Sequence, residues 1–383
     1  MILLALPALA AAIYYLLALV AAMRWDHQAA TGAPPSGGDC VPISILKPVH
    51  GRDPRFYEAI RSHATQEYPE YEILFGVSDP RDPAIADIRQ LMQEFPGRSI
   101  RLIVTDPRTA NRKVGVLEEL AAAARYPWLV VNDSDIVVAP DYLSDVARPL
   151  EDPRVGVVTC LYRARAESRP AQWEAIGLAT EFMPSVLVAR LIGVSEFVLG
   201  STMVFRAAHL RKIGGFAKLG EFLADDYQLG KRITDLGYHV AFARTVVETN
   251  LGAESWREAW RHQVRWARTI RVSRTGGYYG YVVTQATFWA LVAMAAGAWR
   301  LGLATLFIRL ASGLHVGVKT LGDRALLRQF WLIPLRDLWG FAIWLAGGFG
   351  ESVEWRGETL TLTPDGRIQR EANPQAAAAR AQL

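Results

Sequence analysis

The 383-residue chain carries only two cysteines, Cys40 and Cys160. Two thiols without metal-ligand spacing exclude a zinc module and a disulfide framework, and they suit a reducing compartment. Histidine is sparse as well, and His50, His63, His209 and His239 are scattered without the spacing of a metal site. No internal repeat is present. The formal net charge is only +4, with no basic strip interleaved with aromatics, so nucleic acid is not an expected partner. A mild positive excess fits a membrane surface or a phosphate-bearing ligand instead. Charge is missing altogether from Met1 to Met23. About 20 apolar residues cross a bilayer core. No basic segment precedes the run, so a retained transmembrane helix over 1–25 is expected rather than a signal peptide. Arg24, Lys47 and Arg52 follow it and favour a cytoplasmic location for the chain beyond.

Residues 26–40 are small, polar and Pro/Gly-rich and read as a linker. From residue 41 onward short β-rich apolar runs recur: Ile43–Leu46, Glu72–Val77, Arg101–Val104, Trp128–Asn132 and Gly156–Leu161. Runs of this kind suit strands buried on both faces. Helical patterns over 83–95, 113–125 and 141–150 separate them, and Asp53-Pro54 reads as an N-cap with proline at the first helical position. Alternation of this kind implies an α/β fold with a doubly wound, mostly parallel sheet. Further on, the pattern predicts a long helix over 171–192, a strand over 198–206, and a helix from Asp225 to Gly237. An amphipathic Trp/Arg helix at 254–272 suits the membrane interface. Tyr281–Trp299 reads as a second membrane span. Residues 301–318 are apolar except for Arg309 and His315, and a charge at mid-bilayer would cost on the order of 3 kcal/mol, which argues against a span there. Phe330–Phe349 reads as an interfacial or re-entrant helix, and the tail after Gly366 as disordered.

In a doubly wound sheet, ligands bind at the carboxyl ends of the strands. Asp79 ends one apolar run, and Asp133 and Asp135 end another, VVNDSD. An Asp-x-Asp there can ligate a divalent cation through hard oxygens, and equally can be a solvated turn. Asp225 and Asp226 open a helix; they either serve its dipole or include a general base. Arg265 and Arg268 share a helix face beside Trp266, suited to phosphate oxygens or to anionic lipid. Taken singly, Lys113 and Gly200-Ser201-Thr202 are weaker signals.

Together, the strings ISILKPVHGRDP, GVSDPRDPA, NRKVG, DSDIVVAPDYL, GSTMVFR, ADDYQLGKRI and RWARTIR resemble the membrane-bound inverting GT-A glycosyltransferases. They are most similar to the ceramide glucosyltransferase group and its bacterial relatives that glycosylate hopanoid lipids. The likeness covers roughly residues 41–275, which it marks as a GT-A domain; 276–350 would hold membrane or interfacial helices and 351–383 a tail. The resemblance implies a UDP-sugar donor, a membrane-lipid acceptor, Mg2+ or Mn2+, and a multi-pass membrane protein whose catalytic domain faces the cytoplasm. It implies that Asp79 holds the uracil, that Lys113 and Asp133 meet the nucleotide, and that Asp135 with Asp133 meets the metal. Asp226 would be the base, with Asp225 a rival, and Arg265 and Trp266 would bracket the diphosphate and acceptor entrance. The family's last motif usually begins with Gln or Arg, where this chain has His262. A processive polysaccharide synthase and a non-catalytic lipid-binding scaffold are the competing readings.

Overall fold

The structure, a computed structural model, describes residues 2–31, 40–194, 196–355 and 358–370. Eight strands form one sheet: β1 Ile43–Val49, β2 Tyr71–Val77, β3 Ser99–Val104, β4 Trp128–Val131, β5 Ile136–Val137, β6 Val155–Ala166, β7 Met203–Arg206 and β8 His239–Leu251. Their order is β3-β2-β1-β4-β7-β6-β8-β5. The pairs β1–β2, β2–β3, β1–β4 and β6–β8 are parallel; β7 runs antiparallel between β4 and β6, and β5 antiparallel on β8. The sheet is therefore mixed and parallel-dominant, with helices over its faces. Every residue of β1 and β2 is buried, which is why these strands are predominantly apolar in sequence. One core packs Ile45, Phe75 and Val130 under the helix Phe56–Ala64, and the other packs Leu46, Leu74 and Leu129 under Leu117 of the helix Arg112–Ala123.

Several expectations are revised. Asp53 does not cap the next helix, which starts at Phe56 after Arg55 in the left-handed region at φ 57°; the Asp53 carboxylate accepts from the Ser134 hydroxyl instead. Lys47 is not a charge at the membrane face but is fully buried inside β1. The 171–192 helix is interrupted by a π-helical turn, Leu178–Phe182. Of 198–206, only Met203–Arg206 is strand.

The N-terminal helix runs Ile2–Thr31, so the expected linker begins as helix; 32–39 lie outside the described residues. Two helical stretches, Ala5–Ala29 and Trp299–Thr320, are long and apolar enough to cross a membrane. Within 281–299 the apolar helix is only Ala286–Ala295, shorter than a span, and Gly297 at φ 88° turns the chain before the next helix. The long apolar stretch is instead the one carrying Arg309. Its charge is tolerated because Arg309 is fully buried against Asp337 of the helix Ile333–Gly347, with Nε to Oδ2 at 3.0 Å. Thr287 donates to the same carboxylate at 2.6 Å, and the Arg309 guanidinium lies 4.6 Å over the Tyr15 ring. The charge that argued against a span is thus neutralised inside the helix cluster by Asp337.

After residue 350 the described residues are 351–355 and 358–370. Strands β9 Ser352–Trp355, β10 Glu358–Leu362 and β11 Ile368–Arg370 make a second, antiparallel sheet. This corrects the expectation of disorder directly after Gly366; 371–383 lie outside the described residues.

Candidate active site

Because β1, β2 and β4 are parallel, their carboxyl ends share one edge. Ser78 and Asp79 follow β2, and Asp133 to Asp135 follow β4. The antiparallel β7 starts at that edge, with Met203 opposite Val131, so Gly200 to Thr202 lie there too.

The helix Arg112–Ala123 brings Lys113 to this edge. Asn111 caps it, accepting from the Val114 amide at 3.3 Å, and its own amide donates to the Phe222 carbonyl at 2.9 Å. The Asn111 N–H also reaches the Gly220 carbonyl at 2.7 Å. One residue therefore starts the Lys113 helix and ties it to the loop that leads into Asp225.

Lys113 Nζ lies 2.8 Å from Asp133 Oδ1 and 3.6 Å from Asp225 Oδ2. Burial works against its charge, but Asp133 and Asp225 hold its pKa above the ordinary lysine value. Asp225 and Asp226 open the helix Asp225–Asp235, where the dipole favours carboxylates. Burial, followed by the neighbouring Asp225 charge, pushes the Asp226 carboxyl up to about 6. Asp226 accepts from the Gly200 amide at 3.1 Å and from the Tyr227 amide at 2.7 Å. A Cβ at Gly200 would stand 3.1 Å from Asp226 Oδ2, so glycine there lets the backbone come close enough to donate.

Asp135 accepts from the Thr249 hydroxyl, and its carbonyl accepts from Asn250 at 2.9 Å. Burial and the adjacent Asp133 push its carboxyl up to about 6. Among the described residues, no group of three or more His, Cys, Asp or Glu side chains is set to hold a metal by itself. Two hard carboxylates with excess negative charge do fit a Mg2+ or Mn2+ that takes its remaining ligands from phosphate and water. Asp79 sits at the same edge, with its carboxylate accepting from the Arg81 amide at 2.8 Å. It is not drawn into the Lys113 cluster by any of these contacts.

His262 lies on the helix Trp256–Ser273, which opens with a capping box between Ser255 and Glu258. Its Nδ1 donates to Glu174 Oε1 at 2.5 Å. The pair borders a second recess of about 280 Å3 with Glu258 and the chain at 251–253. The His262 and Trp266 rings are 4.6 Å apart, and Trp266 continues through Phe182 to Tyr162. Burial raises the Tyr162 pKa, as do Asp226, Asp133 and Glu174. The next arginines of this helix are committed elsewhere. Arg268 donates to the Phe349 carbonyl at 3.0 Å and to that of Ser352, and Arg271 donates to the carbonyls of Gly348 and Gly350. This revises the expectation that Arg268 faces phosphate or lipid.

A family profile described as Glycosyl transferase family 21 matches residues 2–368. The chain belongs to glycosyl transferase family 21. It is 30% identical over 204 residues to ceramide glucosyltransferase 1 of Caenorhabditis elegans, a match covering 52% of this chain and 44% of that protein. It is 24% identical over 236 residues to the probable glycosyltransferase YdaM of Bacillus subtilis (strain 168), covering 59% of this chain and 54% of that one. The matches thus span about half the length of these relatives. Among solved structures, it resembles mannosyltransferase PcManGT from Pyrobaculum calidifontis in complex with GDP-Man and Mn2+. The TM-score is 0.51 and the identity 19%, over 90% of this chain and 97% of that one. That likeness shows a shared glycosyltransferase fold.

The family 21 chain has a buried layer behind the acidic edge that sequence reasoning missed. Lys47 Nζ lies 3.3 Å from His63 Nε2, and His63 Nδ1 donates to the Ala59 carbonyl at 3.0 Å. Burial brings the Lys47 ammonium down to about 7, although Asp135, Asp133 and Asp53 all favour its charge. Asn132 extends the layer to the Ser201 carbonyl at 2.8 Å and the Thr202 hydroxyl at 3.1 Å. A lysine inside an otherwise apolar strand, ISILKPV, was the available signal: such a charge is buried only with partners.

Proposed function

We propose that this protein is an inverting hexosyltransferase that moves glucose or N-acetylglucosamine from a UDP-sugar to a hydroxyl of a membrane lipid, ceramide-like or hopanoid. The observation that carries the reading is the gathering of Asp133, Asp225 and Asp226 around Lys113 at the carboxyl edge of the sheet. Asp226, oriented by the Gly200 amide, takes the proton of the acceptor hydroxyl. The acceptor oxygen bonds to the anomeric carbon as the bond from that carbon to the phosphate oxygen breaks. UDP leaves with the bonding electron pair, and Asp226 ends protonated. A single displacement needs one base and a stabilised leaving group, and no second nucleophilic carboxylate.

Lys113 supplies positive charge beside the departing diphosphate. Asp133 and Asp135 would hold a Mg2+ or Mn2+, which neutralises phosphate charge when bound. The catalytic edge faces the cytoplasm, where nucleotide sugars are made, and the two apolar helices hold it in the inner membrane. Membranes containing the protein, incubated with a UDP-sugar panel and lipid extract, should yield one new glycolipid identifiable by mass. Asp226→Asn should keep UDP binding and lower turnover by roughly 10²–10⁴-fold. Near-normal turnover in that variant would remove Asp226 as the base, and long polymer as product would replace the lipid reading.

A further inference from the structure

The nucleotide side of the site has an outer wall that comes from the far end of the chain. A recess bordered by Val49 and His50 after β1, Ser78 after β2, and Lys113 with Asp133 is closed on its other side by Trp355 and Glu358. These two residues end β9 and start β10, where Trp355 pairs with Glu358. Resting on the donor reading above, we propose that the β9–β11 sheet is part of the donor site. Trp355 supplies the flat face on which the nucleobase stacks.

Three observations lead there. The first is position. The recess lies at the carboxyl edge of β1 and β2, between Val49, His50 and Ser78 and the Lys113–Asp133 pair.

The second is how the small sheet is attached. At its entry, Arg268 and Arg271 hold the carbonyls of residues 348–352, and Gly350 takes φ 76°. Beyond β10, the Ile368 amide donates to the Glu221 carbonyl at 2.7 Å and Arg367 pairs with Glu221 at 2.9 Å. Leu223 packs with Val353, Leu360 and Ile368, so the sheet leans on the loop that leads directly into Asp225. Glu358 reaches Arg112 at 3.7 Å, and Trp355 packs against the Leu223 cluster. The sheet is thus placed against both the recess and the Asp225 loop.

The third is chemistry. The recess floor offers a cation and a hydroxyl for phosphates, Lys113 and Ser78. A nucleobase also needs an apolar plane, and Trp355, half-buried at the rim, presents the large one. Base–aromatic stacking is lost on alanine substitution and largely kept by another aromatic ring.

The test measures UDP affinity of the full-length protein in detergent by calorimetry, for the parent and for Trp355→Ala and Trp355→Phe. Trp355→Ala should weaken UDP binding by roughly 5- to 150-fold, with Trp355→Phe staying close to the parent. Hydrogen exchange should show the β9–β11 amides gaining protection when UDP is added. Unchanged affinity in Trp355→Ala overturns the inference and leaves the donor reading standing. Equal loss in both variants overturns the stacking role, because it reports lost packing of the sheet. No UDP binding by the parent protein sinks the donor reading and this inference together.

Discussion

The Lys113 ammonium sits 2.8 Å from Asp133 and so joins the helix after β3 to the carboxyl end of β4. The same ammonium lies 3.6 Å from Asp225, so one cation offsets the mutual repulsion of carboxylates from two separate elements. What surrounds Asp226 is then a balance: burial and Asp225 raise its pKa, and Lys113 lowers it.

That balance predicts a pH profile. A base works only when ionised, so kcat/KM should fall as pH drops through the Asp226 value of about 6. Asp225→Asn removes an anion that disfavours the ionised base and should move the acid limb to lower pH. Lys113→Gln removes the cation that favours it and should move the limb to higher pH. The position of the limb is the readout, since both variants can also lower its height. Limbs that stay in place would separate Asp226 from the rate-controlling ionisation.

Gly200 gives a second expectation. Its amide donates to Asp226 at 3.1 Å, and an added Cβ would crowd the same carboxylate oxygen at 3.1 Å. Gly200→Ala should displace the base while leaving UDP affinity and the unfolding temperature near the parent's. A loss of kcat of about 10-fold or more is expected, since small misplacements of reacting groups are costly. A fully active alanine variant would show that the contact does not orient Asp226.

The fold was legible where burial is complete. Residues of β1 and β2 are buried on both faces, so their runs announce a parallel sheet, and the acidic residues after β2 and β4 announce a site. β8, His239–Leu251, was missed because its burial follows neither an unbroken run nor a strict alternation, and its polar residues serve contacts such as Thr249 to Asp135. The small C-terminal sheet was missed for a related reason: Glu-Thr-Leu-Thr-Leu reads as polar until Leu360 and Leu362 meet Leu223, a partner far away in sequence. Arg309 misled because hydropathy counts a charge and cannot see Asp337 beside it. Lys47 misled in the opposite sense, as a charge counted toward the membrane surface that the sheet buries. In each case the deciding partner lies in a distant part of the chain.

The Arg309–Asp337 pair should behave as a buried ion pair. Arg309→Met leaves Asp337 buried with only Thr287 to satisfy it, and should cost about 3–5 kcal/mol of stability. The double change Arg309→Met with Asp337→Leu removes both charges and should recover most of that loss, because two apolar side chains need no desolvation compensation. Thermal unfolding of the detergent-solubilised protein checks both. A single variant as stable as the parent would show that the pair contributes nothing to the helix cluster.

His262 stands where the family pattern usually has Gln or Arg, and here it donates to Glu174, a side chain that is only 2% exposed. Glu174 Oε2 has no hydrogen-bond partner, so His262 is the donor that satisfies this carboxylate. His262→Ala leaves the buried carboxylate unpaired and should destabilise the protein by about 1–3 kcal/mol. His262→Gln restores an N–H donor at a similar reach and should unfold close to the parent. The pair lines a recess with Glu258 and residues 251–253, and no residue of the Lys113 cluster lines it, so the alanine variant should raise the KM for the lipid acceptor and leave that for the sugar donor unchanged. A rise in donor KM alone would move His262 to the diphosphate side of the site.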